Sequence, residues 1–382
     1  MIVPAPLIEV SGPPRERGRA YGEAARECVR LGIGHYSEQL SASVSREGMT
    51  ALVEDFMPTI DAFDGSYLDE MRGIAEGAGV AFHDVVLLNA RTEILRLAPK
   101  VATSREAAEE PDGCTGLVAL PGITADGKLI HAQNWDWKRA CVETAVVLKI
   151  ARTDGPDILT FTEAGALARC GFNAAGVSIT ANYLNSDRDY SQHGIPLVLI
   201  RRKVLEQPFV ALAMHAVYTT QKSASNNMIV AQADGVAIDF ECAPDETFQV
   251  HAEDGLLVHA NHWQSPVALG KLKDTGILTT PDSLYRDIRV RDLVAPQRGR
   301  IGRDTVKAAL FDDWQTPWSV CRPPRQNLGG VLTATVATIV MVPTDGLMEV
   351  AMLPSEQKSF ARYTLAMEEL IRAAPAPKRA VA

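Results

Sequence analysis

Apolar residues recur every three or four positions through 15–45 (Tyr21, Ala24, Ala25, Cys28, Leu31) and 49–78 (Met57, Ile60, Phe63, Leu68, Met71), the period of a helix that buries one face. Pro58 argues against an unbroken second helix. Val85, Leu88 and Ile94 predict a third helical stretch over 84–96, and the polar run TSREAAEEPD at 103–112 reads as a surface loop. The pattern then changes. Segments 114–120 and 129–134, joined across the Asp126-Gly127 turn signal, read as a hairpin. Further strands are expected at 145–151, 158–163, 176–181, 228–233, 236–242, 247–251, 256–261, 331–342 and 347–353, interrupted by helical patterns at 195–219 and 303–314. A helical first third followed by strand-rich hairpins predicts an α+β protein, with helices covering a mostly antiparallel sheet. No internal repeat is visible, and the end AAPAPKRAVA at 373–382 reads as a flexible tail.

Composition narrows the class. The 382 residues are 46% apolar and 22% charged, enough to bury a large core. The start MIVPAPLIEV lacks the basic and long apolar regions of a leader, and no run reaches the roughly 18 apolar residues of a membrane span, so a cytoplasmic protein without a membrane partner is expected. A net charge of −9 argues against a nucleic-acid partner. The imbalance lies almost wholly in residues 1–113, which hold 11 basic and 19 acidic side chains. The cysteines Cys28, Cys114, Cys141, Cys170, Cys242 and Cys321 are scattered and form no CxxC, so neither a metal site nor a disulfide framework is expected.

The junction Asp112-Gly113-Cys114-Thr115 is where the polar loop gives way to the first strand of that hairpin. A cysteine at a strand start is more often a small buried hydrophobe than a nucleophile, and a glycine before it is commonly a turn residue. The pair also suits self-cleavage: glycine admits backbone angles that a side chain forbids, as attack of the thiol on the preceding carbonyl would require. A cut between Gly113 and Cys114 would free an α-amine with a reference pKa of about 7.7–8.0, able to act as base for its own thiol. A separate catalytic histidine is then unnecessary.

Short stretches in a fixed order carry a resemblance: RGRAYG at 17–22, MRGIAEGAG at 71–79, LLNARTE at 87–93, DGCT at 112–115, QNWDW at 133–137, TEAG at 162–165 with GFNAAGV at 171–177, VHANH at 258–262 and WSVCR at 318–322. In these the chain resembles the acyl-coenzyme A:6-aminopenicillanate (isopenicillin-N) acyltransferase family of N-terminal-nucleophile hydrolases. The resemblance implies a four-layer αββα sandwich. It also implies a precursor that cuts itself before Cys114 into a helical α fragment, 1–113, and a sheet-rich β fragment, 114–382, which stay associated as one composite domain. Asp136 matches the family's acidic residue and would hold the Cys114 amine, although a hairpin-capping role explains it alone. Asn261 matches the oxyanion-hole asparagine.

Arg322, Thr115, His259 and Trp263 are expected as substrate or supporting residues, and an ordinary salt bridge explains Arg322 equally well. Strand alternation over 256–261 would put His259 and Asn261 on one face and His262 on the other, poor metal geometry. Arg91 and Glu93 are expected to tie the helical fragment to the sheet. The basic run Arg201, Arg202, Lys203 could draw a coenzyme A phosphate, but reads first as a solvated helix face. Two positions depart from the family pattern: Gly116, where a hydroxyl residue is usual, and Trp263, which reshapes the pocket. The leading expectation is a cysteine amidohydrolase that needs no cofactor and acts on an N-acyl amine or N-acyl amino-acid conjugate. Acyl transfer to an amine is the alternative. An uncleaved, non-catalytic binder of acylated small molecules is a third reading, and an oligomer is compatible with all of them.

Overall fold

A computed structural model of the chain describes residues 2–41, 43–101, 113–327 and 330–368. The loop expected at 103–112, with Asp112, and the tail expected at 373–382 lie outside the described residues. The chain opens with strand β1 (Leu7–Ser11), then helices α1 (Pro14–Ala24), α2 (Arg26–Ser41), α3 (Arg46–Ala78), α4 (Phe82–Asn89) and α5 (Arg91–Val101). A run of strands follows: β2 (Gly113–Ala119), β3 (Ile130–Lys138), β4 (Ala145–Ala151), β5 (Ile158–Glu163), β6 (Cys170–Asn173) and β7 (Val177–Tyr183). Helices α6 (Leu197–Leu205) and α7 (Val210–Thr219) lead into β8 (Asn226–Gln232), β9 (Val236–Cys242), β10 (Thr247–His251) and β11 (Leu256–His259). The last part holds α8 (Pro266–Leu269), α9 (Ser283–Val294), α10 (Arg303–Leu310), β12 (Arg325–Gln326), β13 (Leu332–Val342), β14 (Leu347–Met352) and β15 (Ala361–Thr364).

Two sheets stack. One has eight strands in the order β1-β4-β5-β6-β7-β8-β9-β10; the other has seven, β11-β2-β3-β13-β14-β15, with β12 on β13. All pairs are antiparallel except β1 with β4. Val118 and Leu257 of the second sheet, with Leu129 just before β3, meet Ile229 and Ala231 of the first. On its outer face the seven-stranded sheet buries Leu117, Ala132 and Val258 against Val290 and Val294 of α9 and Val306 and Leu310 of α10. The first five helices and α6–α7 cover the eight-stranded sheet through a core that includes Val29, Tyr36, Met71, Val147, Phe161 and Ile200. The layers are therefore helix, sheet, sheet, helix, the αββα sandwich expected.

The differences from the sequence reading are local. The first third is not purely helical, because β1 alternates exposed and buried residues and adds a parallel edge strand to β4. The first helical stretch divides at Ala25. The second is broken at Asp64 (φ −166°, ψ 101°) and not at Pro58, which stays within the helix. The stretch 195–219 is two helices separated at Gln207-Pro208, where a proline cannot continue the backbone bonding. Strand β11 stops at His259, so the alternation drawn over 256–261 does not reach Asn261 or His262.

The RGRAYG and MRGIAEGAG motifs form one contact. A Cβ at Gly18, Gly22, Gly73 or Gly77 would lie within 3.0 Å of a backbone carbonyl oxygen of the facing helix, so α1 and α3 touch backbone to backbone. LLNARTE and TEAG form another. Asn89 donates to the Gly165 carbonyl at 2.9 Å and accepts from the Leu167 amide at 2.9 Å, and Arg91 is ion-paired with Glu163. Tyr36 donates to the same carboxylate. Glu93 accepts from the Leu197 amide at 2.9 Å, and burial pushes its carboxyl up to about 7. Arg91 and Glu93 thus reach the sheet-rich part separately rather than as a pair.

Candidate active site

Strand β2 begins at Gly113 and runs antiparallel to β3, with Gly113 opposite Asp136 and Cys114 opposite Trp135. The two-residue period sends alternate side chains to opposite faces of the sheet. Cys114 and Gly116 face the eight-stranded sheet, while Thr115 faces α9. At the same end of the sheet, β13 has a bulge between Thr335 and Ala337, next to the residue opposite Asp136. Bulges commonly re-aim side chains beside functional positions.

Cys114 is fully buried and engaged at each of its polar atoms. Its amide donates to Asn261 Oδ1 at 2.8 Å, and its carbonyl accepts from Arg286 Nη1 at 2.6 Å. Its thiol lies 3.6 Å from Arg169 Nη2, and that guanidinium stacks on Trp135 with Cζ 4.3 Å from the ring centre. Arg286, buried on α9, also donates to Thr115 Oγ1 at 2.8 Å, to Asn261 Oδ1 at 2.8 Å and, through Nε, to Asp282 at 2.8 Å. Burial raises the Asp282 carboxyl, but Arg322 and Arg286 outweigh it and hold the group below the ordinary carboxylate range.

Gly113 is not one of the glycines with positive φ, so backbone freedom is not what requires it. Space is: a Cβ there would sit 2.5 Å from Arg322 Nη1 and 2.8 Å from Asp136 Oδ2. Asp136 Oδ1 accepts from Thr335 Oγ1 at 2.6 Å, Oδ2 stands 3.4 Å from Arg322 Nε, and Arg322 is ion-paired with Asp282. Gly116 is explained in the same way. Its Cβ would lie 3.1 Å from Ile229 Cδ1 and 3.4 Å from Thr180 Oγ1, so a hydroxyl from the facing sheet already occupies that space.

Asn261 lies past the end of β11. Two donors fix its oxygen, and its Nδ2 donates to the Tyr183 carbonyl at 2.9 Å. His259, two residues earlier, is fully buried with both ring nitrogens against acceptors: Nδ1 at 3.0 Å from the Ala260 carbonyl and Nε2 at 2.7 Å from Glu241. Burial opposes its charge, but Asp239 and Glu241 prevail and raise its pKa to about 9. Glu241 also accepts from the amides of Gln264 and Ser265, so the imidazolium and its carboxylate pin the segment that bears Asn261. His262 Nδ1 is hydrogen-bonded with Ser283 Oγ at 2.8 Å; burial and the charge of His259 depress its pKa to about 3 and keep it neutral.

Cys114, Gly113, Thr115, Asp136, Asn261 and Arg322 are thus brought together, with His259 one step behind. Trp263 is elsewhere: its indole packs with Leu184, Phe248 and Leu272 and donates to the Asn185 carbonyl at 2.9 Å. The run 201–203 is not a solvated face. Arg201 and Arg202 are buried, Arg202 is bonded to Glu70 and Glu206, and Lys203 to Asp64. Arg286, Arg169 and Asp282 carry no sequence motif and were missed. Among the described residues no group of His, Cys, Asp and Glu could hold a metal ion, and no helix is long and apolar enough to cross a membrane.

Comparison with known proteins gives the family. The sequence profile described as acyl-coenzyme A:6-aminopenicillanic acid acyl-transferase matches residues 123–352. The chain is 27% identical, over 330 residues, to the acyl-coenzyme A:6-aminopenicillanic-acid-acyltransferase 40 kDa form of Emericella nidulans, covering 84% of this chain and 85% of that one. An uncharacterized protein of Archaeoglobus fulgidus is 24% identical over 357 residues, 81% of this chain and 58% of that one. The fold is shared with a mutant of conjugated bile acid hydrolase from Clostridium perfringens, with a TM-score of 0.50 and 15% identity over 68% of this chain and 94% of that one. With the profile covering more than half of its length, the chain belongs to the acyl-coenzyme A:6-aminopenicillanic acid acyl-transferase family.

Proposed function

We propose that the protein is a self-processing cysteine N-terminal-nucleophile enzyme that hydrolyses the amide bond of an N-acyl amine or N-acyl amino-acid conjugate. The observation that carries this reading is the arrangement at Cys114, where a thiol beside a guanidinium adjoins a peptide bond whose preceding glycine packs against the side-chain ends of Arg322 and Asp136. In self-cleavage the thiol sulfur bonds to the Gly113 carbonyl carbon and the Gly113–Cys114 C–N bond breaks, the nitrogen taking the thiol proton. Water then splits the thioester, leaving a Gly113 carboxylate, a free thiol and a free α-amine. Asn261 accepts a hydrogen bond from that nitrogen before the cut and would keep it in place afterwards, with Asp136 as the nearby negative charge.

Turnover repeats the chemistry on substrate. The α-amine takes the thiol proton, sulfur attacks the acyl carbonyl, and the proton passes to the departing amine. Water then releases the acid. Arg286 donates to the backbone carbonyl of the nucleophile at 2.6 Å. For Asn261 to serve an oxyanion, its Nδ2 must leave the Tyr183 carbonyl. The cysteines are free thiols, which fits a reducing, cytoplasmic setting.

Acyl transfer is the second reading, favoured by the activity for which the Emericella relative is named. One assay separates the two: N-acyl amino acids, acyl-amines and penicillins are offered with and without a competing amine. Free acid at a rate unaffected by the amine is expected; amide product that replaces it makes the enzyme a transferase. Cys114→Ala should turn over none of them, and full activity in that variant would refute both readings.

A further inference from the structure

His259 ends β11 two residues before Asn261, and its ring is fully buried against β9. Both ring nitrogens face oxygens: Nδ1 is 3.0 Å from the Ala260 carbonyl and Nε2 is 2.7 Å from Glu241 Oε1. Glu241 also accepts from the amides of Gln264 and Ser265, as an ionised carboxylate does. A carbonyl and an ionised carboxylate accept and do not donate, so both contacts are hydrogen bonds only when each nitrogen carries a proton. Asp239, 3.7 Å from Nε2, adds a second negative charge. His262 stacks at 6.3 Å between ring centres, and α9 brings up Asp287 together with Arg291, which donates to the adjoining Val258 carbonyl at 2.8 Å. Burial opposes the charge of His259, but Asp239 and Glu241 prevail and its pKa rises to about 9.

The charged ring closes a strap around Asn261. Ahead of Asn261 it holds the Ala260 carbonyl, which lies in one planar peptide unit with the Asn261 amide. Beyond Asn261 its partner Glu241 holds Gln264 and Ser265. Asn182 Nδ2 donates to the His259 and Ala260 carbonyls at 2.9 Å each, and the Asn261 amide donates to Ser283 Oγ at 2.7 Å. With its backbone fixed, Asn261 needs only a side-chain rotation to move Nδ2 from the Tyr183 carbonyl to a substrate oxygen. A neutral imidazole has one N–H and one lone pair, so loss of a proton would turn one of the two contacts into repulsion between a bare nitrogen and an oxygen.

We propose that His259 and Glu241 are positioning residues for the oxyanion donor: the doubly protonated ring and its carboxylate hold the segment from Ala260 to Ser265 so that Asn261 presents Nδ2 to the acyl oxygen, and removal of one ring proton releases that segment. The inference rests on the reading of Asn261 as the oxyanion donor and adds to it a dependence on the charge of a residue that touches no substrate.

The test compares two reactions of the Cys114 thiol. Acylation by a p-nitrophenyl ester passes through a tetrahedral oxyanion, whereas alkylation by iodoacetamide displaces iodide at a saturated carbon and forms none. Both rates are measured from neutral to alkaline pH in the wild type, His259→Gln, Glu241→Gln, Asn261→Ala and the double variant His259→Gln/Asn261→Ala. Asn261→Ala should acylate about 10²- to 10³-fold more slowly. His259→Gln should lose roughly 10- to 100-fold in acylation and keep the wild-type rate of alkylation. In the double variant the His259 substitution should add nothing to the loss from Asn261→Ala. The ratio of acylation to alkylation should fall in the wild type as pH passes about 9 and stay level in His259→Gln. Equal losses in both reactions, or losses that add in the double variant, make His259 a merely structural residue and overturn the proposal. Wild-type acylation by His259→Gln beside a slow Asn261→Ala overturns the inference alone, whereas wild-type acylation by Asn261→Ala removes the oxyanion reading and the inference with it. If His259→Gln does not fold or is not cut, Glu241→Gln, which keeps an acceptor oxygen and loses only the charge, carries the comparison: a loss confined to acylation upholds the inference, and wild-type acylation overturns it. The ester requires no knowledge of the amide substrate, so the outcome is independent of which amide the enzyme hydrolyses.

Discussion

Arg169 shows how much a single side chain sets at this site. A thiolate beside a fixed cation is favoured over the thiol, and Trp135 holds this guanidinium 3.6 Å from the sulfur of Cys114. Arg169→Gln should raise the apparent pKa for alkylation of Cys114 by roughly one unit, the lower end of what a neighbouring opposite charge does. Iodoacetamide rates across pH measure it, and an unshifted profile would remove Arg169 from the account. Neither Arg169 nor Arg286 could be read from the sequence. Gly113 and Cys114 were legible at the junction of loop and strand, Asp136 through its match to the family motif QNWDW, and one local hairpin with a visible turn brings the three together. Arg169 and Arg286 reach the thiol and its carbonyl from elements 55 and 172 residues away, and nothing in a linear pattern marks such an approach.

At the level of elements, backbone contact between α1 and α3 gives the helical layer its shape. Gly73→Ala would force a methyl to within 3.0 Å of the Arg15 carbonyl oxygen, and separating the helices to relieve that overpacking should cost roughly 1–3 kcal/mol. A lower denaturation midpoint with an unchanged slope is expected; wild-type stability would show that the helices do not pack this closely. Helix α9 explains why part of the fold escaped the sequence. Its buried positions Ser283, Arg286, Asp287, Val290 and Val294 keep helical spacing but are largely polar, whereas Leu284 and Ile288 are exposed. A search for an apolar stripe is led to the wrong face. Strand β1 was missed for a different reason: five residues between prolines pair in parallel with a strand 140 positions away.

Across the whole molecule, buried polar contacts join the part before Gly113 to the part after it. Arg17 and Arg202 share Glu70, Arg91 meets Glu163, Asn89 bonds to Gly165 and Leu167, and Glu93 accepts from Leu197. Contacts of this kind would hold two fragments together once the peptide is cut. Glu93 gives them a pH signature. Its folded pKa, pushed up by burial to about 7, lies above the unfolded value, so its contribution is complete at low pH and is lost as pH rises through 7. Glu93→Gln keeps an acceptor for Leu197 without the charge. It should therefore be more stable than the wild type at pH 8, by an amount on the order of 3 kcal/mol, and close to it at pH 4. Thermal unfolding at the two pH values measures the difference, and a variant that is less stable at pH 8 would contradict the assignment.

The proposed mechanism requires Cys114 to become a chain terminus. Intact mass under denaturing conditions, with N-terminal sequencing of the larger species, tests it most directly. Scaling 41.3 kDa to 113 and 269 of the 382 residues, pieces of about 12 and 29 kDa are expected, the larger beginning Cys-Thr-Gly-Leu, with a single chain for Cys114→Ala. A wild-type protein that remains one 41.3 kDa chain while hydrolysing its substrate would contradict it.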